Sequence, residues 1–275
     1  MMRKNNSLRF LGLAFFAVLA GCGAIGESAS TSSSEVANAL GDTMGAVDES
    51  LSRATVNVGP MSGGSCYSAS FTTCASNART LTYDGCSLGN LVLTGEVKYQ
   101  YSVGASCRID HNSDSVRRIP DFVIAGREGS AGVGSVSAVT SGQTITRVSN
   151  GVYTYAVSGI RRYLDNSVGT RIADFTVNTT SNIQITGSSR SSREMSGGSI
   201  QIASNLENES IVLSPDSLRW TASCSCPISG SWIGQKTDTE GVTSDFVVEI
   251  TGCGTANLEQ SGTTKSISLE RCFVL

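Results

Sequence analysis

An all-β fold of antiparallel sheets (a sandwich, roll or curled sheet) with one N-terminal helix follows from three features of this sequence. From 91 to 101, Leu91, Leu93, Gly95, Val97, Tyr99 and Tyr101 alternate with Val92, Thr94, Glu96, Lys98 and Gln100. That period of two marks a half-buried strand. Asn150-Gly151 stands between two β-type runs, 144–149 and 152–158, as in a hairpin with a two-residue type I′ turn. That turn would set Val148 opposite Tyr153 and Thr146 opposite Tyr155. Only one segment has helical periodicity, so strand–helix alternation, and with it a doubly wound sheet, is excluded.

That segment is 35–54. Val36, Leu40, Met44, Val47 and Leu51 recur at helical intervals, and Ser32 with Glu35 has the spacing of a capping box. Gly41 and Gly45 each weaken a free helix by up to ~1 kcal/mol relative to alanine, so the helix needs to dock on the β structure or plug a groove in it. Residues 22–34 are small and hydroxyl-rich and read as a tether. Beyond Thr55, further strands are expected near 79–83, 122–125, 171–178, 183–187, 199–203, 218–223, 246–250 and 266–269. Asp110–Arg118 is the most charged stretch and reads as an exposed loop. The glycine-rich run 126–134 reads as a flexible loop where a 55–275 β domain would subdivide; a single sheet system with staples at both ends is equally allowed.

Composition narrows function by exclusion. Charged residues make up 16% of the 275, net charge is −3, and no basic cluster suggests nucleic acid. Aromatic residues are 6%. That is thin for the aromatic girdles of a membrane barrel, an idea the alternating strands and the terminal Phe273-Val274-Leu275 invite. The one histidine, His111, has no G-x-S-x-G partner motif and reads as a solvated loop residue. Asp110, His111 and Asp114 lack the spacing of a calcium loop. Glu207 with Glu209, and Asp238 with Glu240, are carboxylate pairs that glycoside chemistry could use, with Trp220 and Trp232 as the only tryptophans to stack on a sugar. No catalytic residue, resident metal or cofactor is assigned from these patterns.

The N-terminus is more specific. Arg3, Lys4 and Arg9 precede an apolar or small run, Phe10–Ala20, shorter than the ~20 residues that span a bilayer. It ends in Leu19-Ala20-Gly21-Cys22. This segment is similar to the signal peptide and lipobox of bacterial lipoproteins. The resemblance implies removal of residues 1–21, acylation of Cys22 and anchoring in a membrane. Gly23, where an aspartate tends to retain such proteins in the inner membrane of enteric bacteria, leans toward the outer membrane.

Eight other cysteines fall in two even sets: Cys66, Cys74, Cys86 and Cys107, then Cys224, Cys226, Cys253 and Cys272. In an exported chain even sets read as disulfides, with three connectivities open in each. Cys224 and Cys226 are too close in sequence to bridge each other without strain; Cys253 and Cys272 are the obvious partners. Read as a zinc set, the same four residues have a tighter spacing than zinc sites usually show. The C-terminal region, Arg193-Glu-Met195 through Trp220, Cys224-Ser-Cys226-Pro227 and Cys253-Gly254 to Cys272, resembles a loose group of exported bacterial proteins, many of them lipoproteins. That resemblance implies a disulfide-closed β-hairpin module and carries no catalytic or binding residue.

The sequence thus leads to the expectation of a lipid-anchored envelope protein with a non-enzymatic structural or binding role. A lipid or lipoprotein carrier with an apolar groove is the main alternative, and an envelope hydrolase a more distant one.

Overall fold

A computed structural model describes residues 27–55, 70–71, 74–88, 91–103, 107–126 and 132–275. Cys22, Cys66 and the leader 1–21 lie outside them. One helix, α1 (Glu27–Thr55), precedes fifteen strands among the described residues. These are β1 (Ser70–Phe71), β2 (Ala78–Leu88), β3 (Leu91–Tyr101), β4 (Ser115–Gly126), β5 (Gly132–Ser149), β6 (Val152–Asp165), β7 (Arg171–Ser181), β8 (Ile183–Thr186), β9 (Glu194–Ser196), β10 (Ser199–Ser204), β11 (Ser210–Arg219), β12 (Ser229–Thr237), β13 (Thr243–Gly252), β14 (Thr255–Gln260) and β15 (Thr263–Ser268).

All strands pair antiparallel in one sheet, ordered mostly as a meander. The sheet continues through β4 and β5, so the described strands before and after 127–131 form a single sheet. Between β6 and β11 it forks. The start of β6 pairs with β8 and the end of β11 with β9, while the rest of both strands is spanned by β7 and β10. Strand alternation holds as expected. Leu93, Val97, Tyr99, Phe122 and Ile124 point inward, while Thr94, Lys98, Arg117, Asp121, Asp245 and Glu249 face water.

The sheet curls around α1. Every helix residue from Glu35 to Leu51 is buried, on all sides and not only along the apolar stripe. The stripe Val36, Leu40, Met44, Val47 and Leu51 has no exposed surface. Contacts arrive from β2, β4, β6, β12 and the C-terminal segment, which a flat sheet could not deliver to one helix.

Several expectations need correction. The helix begins at Glu27, so the 27–34 part of the anticipated tether is helical, and Ser32 and Glu35 lie within the helix instead of forming a capping box. Ser115–Arg118 is strand, not loop, because Val116, Arg118, Phe122 and Ile124 share the inward face of β4. The Asn150-Gly151 turn is present, but only Gly151 has positive φ, so it is not type I′. Val148 is bulged out, and Arg147 stands opposite Tyr153 and Thr146 opposite Thr154. Strand β11 ends at Arg219, because the run 220–228 is held in turns by its cysteines.

Candidate functional site

The most distinctive chemistry lies between α1 and the sheet wall. Helix residues Glu35, Asp42, Asp48 and Glu49, with Glu270 from the C-terminal segment, face Arg118, Arg162, Arg190, Arg193 and Arg271. Five carboxylates therefore match five guanidiniums, and most of them are buried. Burying one such ion unpaired costs several kcal/mol, so charge balance is what lets this helix sit inside.

Arg162 on β6 is the hub. Its Nη1 meets Asp42, its Nη2 meets Glu270, and its Nε lies 3.6 Å from Glu35. Burial pulls its pKa down, but Asp42, Glu270 and Glu35 outweigh that and hold it above the ordinary arginine value. Arg118 on β4 donates from Nε and Nη2 to Glu49 Oε2 at 3.3 and 3.1 Å, and from Nη1 to Gln143 at 2.8 Å. It too is desolvated, yet Glu49 and neighbouring tyrosines leave its pKa raised.

At the other end of the helix, Arg193 and Arg190 both donate to Asp48, at 2.5 Å and at 2.7 and 2.8 Å. For Arg193 burial is the stronger influence and its pKa is lowered despite Asp48. The Tyr83 hydroxyl donates to Glu49 at 3.2 Å, and Trp232 Nε1 donates to Met44 Sδ at 3.4 Å.

The C-terminal segment straps this assembly. Leu269–Arg271 crosses α1, with Asn38 Oδ1 accepting from the Glu270 N–H at 3.3 Å. Arg271 reaches Glu49 and Tyr83 and lies 4.9 Å from the centre of the Phe122 ring, so the strap joins the last strand to β2 and β4. Disulfide Cys226–Cys272 pins it, Cys224–Cys253 fixes the turn that pairs with Val274, and Ser225 Oγ accepts from the Phe273 N–H at 3.0 Å. Both early cysteines of the second set thus reach later ones, as the spacing required. In the first set Cys74 bonds Cys107, and Cys86 is also disulfide-bonded.

The residues with catalytic potential in the sequence do not converge. His111 is exposed on the β3–β4 loop, 3.5 Å from Asp114, and Asp110 pairs with Arg108. Glu209 pairs with Lys236 at 2.9 Å, while Asp238 caps its own turn by accepting from the Glu240 and Val242 N–H groups. Glu207 and Glu240 are exposed on two different hairpin loops. Trp220 and Trp232 are buried, so neither offers a face to a sugar. Among the described residues no group of three histidines, cysteines or acids is arranged to hold a metal.

Sequence reading missed the arginine wall. A signal was present: Arg118 lies in register with Val116, Phe122 and Ile124, and Arg162 with Ile160 and Leu164, at inward positions of period-two runs. An arginine in such a place needs a buried acid opposite. Comparison with protein-family models, curated proteins and solved structures finds no match.

Proposed function

We propose that this chain is an exported lipoprotein, fixed to a membrane through lipid on Cys22, with a non-enzymatic structural or binding role in the cell envelope. One observation carries the reading: the helix that follows Cys22 in the chain is also the centre of the fold. A lipid at Cys22 would lie five residues ahead of α1, whose 35–51 stretch forms the core. Several acyl chains at ~0.8 kcal/mol per buried CH₂ make such an anchor effectively permanent. Disulfides among the described cysteines and polar outward strand faces suit an oxidising, watery compartment beside that membrane.

The carrier alternative is less favoured. A cargo lipid needs the interior of the curl, and α1 fills it. Expelling the helix would break the ion pairs of Arg118, Arg162 and Arg193 together.

Replacing the anchor residue tests the proposal. Cys22→Ala should shift the protein from the membrane to the soluble exported fraction or stall its processing, and undiminished membrane association would overturn the reading. Native mass spectrometry of delipidated protein should show no bound acyl ligand. A co-purified lipid would favour the carrier.

A further inference from the structure

We propose that the rim of the sheet at the β6–β7 turn rests on the membrane surface, with Val133, Val168, Ile172 and Leu206 dipping into the lipid interface. The inference rests on the lipid anchor at Cys22 proposed above.

Two independent observations converge on this rim. The first is the direction of α1. Along β6, Glu35 and Asp42 meet Arg162, close to the Asp165 end of that strand. Asp48 meets Arg190 and Arg193, beside β9, which lies at the Val152 end. The N-terminal end of the helix therefore points toward the β6–β7 turn. From Glu35 back to Glu27 the helix advances ~12 Å, comparable to the ~10 Å of strand from Arg162 to Asp165. The chain from Cys22 to Glu27 spans at most ~18 Å. A lipid on Cys22 thus holds this rim, and not the opposite one, against the bilayer.

The second is what the rim displays. Val168 at the β6–β7 turn is 80% exposed, Leu206 at the β10–β11 turn 50%, Val133 at the start of β5 42% and Ile172 at the start of β7 37%. They belong to four strands adjacent in the sheet, β5, β6, β7 and β10, or to the turns those strands enter. Apolar side chains facing water are costly in solution and favourable against lipid; Val103 and Val148 at the opposite end are similarly exposed, so the direction of α1 selects between the two rims.

The turn backbones are held firmly. Asn166 Oδ1 accepts from the N–H groups of Val168 and Thr170, and Ser204 Oγ from those of Leu206 and Glu207. Behind the tips, Arg161 and Arg171 pair with Asp174, Arg171 also pairs with Asp165, and the Arg171 guanidinium lies 3.6 Å from the centre of the Tyr163 ring. This belt is charge-balanced and Glu207 adds one exposed acid beside Leu206, so the surface fits a zwitterionic headgroup layer better than a strongly anionic one.

Tryptophan depth probes test the inference. Val168→Trp, Leu206→Trp and, at the opposite end, Val103→Trp variants of the lipidated protein are reconstituted in phosphatidylcholine vesicles with or without brominated acyl chains. Val103 is 50% exposed and serves as the control. The native Trp220 and Trp232 are buried and give a constant background. Emission from the probes at 168 and 206 should fall about twofold or more with brominated lipid, consistent with shallow insertion, while the 103 probe is unaffected. Flotation with vesicles but no quenching at 168 and 206 overturns the docking rim and leaves the anchor standing. A blue shift without quenching also overturns it, assigning the rim to contact between copies of the protein. Failure to float with vesicles overturns the anchor itself, and the rim with it.

Discussion

The carbonyl oxygen of Glu270 passes so close to Gly41 of the helix that a Cβ at position 41 would lie 2.6 Å from it. Gly45, one turn on, has more room: a Cβ there would stand 3.7 Å from the carbonyl oxygen of Arg271. The two glycines look equivalent in sequence, but only the first is needed for the strap to cross.

Gly45→Ala should therefore be neutral or stabilising, by up to ~1 kcal/mol from helix propensity. Gly41→Ala has the same propensity gain but should destabilise, because the strap backbone must shift. Urea unfolding of the two variants checks the contrast, and equal midpoints would refute it.

Arg162→Met should cost ~3–5 kcal/mol, since Asp42, Glu35 and Glu270 lose their common partner inside the fold. Arg162→Lys should rescue little. Nη1 and Nη2 each bond a different carboxylate while Nε lies near a third, and an ammonium cannot reproduce that fork. Thermal unfolding of both variants gives the measurement.

Removing the Cys226–Cys272 bridge by replacing both residues with alanine should lower stability by ~2–4 kcal/mol. The loss should be local before it is global. Amide hydrogen exchange should quicken first in 269–275, the strap the bridge pins, and later in the strands.

Asp174 gives a pH signature. Burial pushes its carboxyl up, but hydrogen bonds from Arg161, Asn205 and Arg171 outweigh this and leave its pKa below the ordinary value. A depressed carboxylate pKa adds stability above the unfolded-state pKa and loses it as pH falls through the folded one. Asp174→Asn should cost ~1 kcal/mol at neutral pH, a small figure because both guanidiniums are about a third or more exposed and screened by solvent. The gap to the parent protein should close below about pH 4, as chemical denaturation at several pH values would show.

The period-two run Leu91–Tyr101 and the apolar stripe from Val36 to Leu51 were legible because side-chain direction follows from local backbone geometry alone, whereas the charges of 115–118 hid the first part of β4. The even cysteine sets likewise announced bridges. What the sequence alone determined was thus which residues of these runs turn inward and that the cysteines would pair. Only the tertiary structure decided what stands opposite each inward residue. Arg118 finds Glu49 across 69 positions, Arg162 finds Asp42 across 120 and Arg193 finds Asp48 across 145. Such pairings exist only once the sheet curls, because curling brings distant strands around the same helix. The same curl directs the start of α1 to one rim, a relationship no local period encodes.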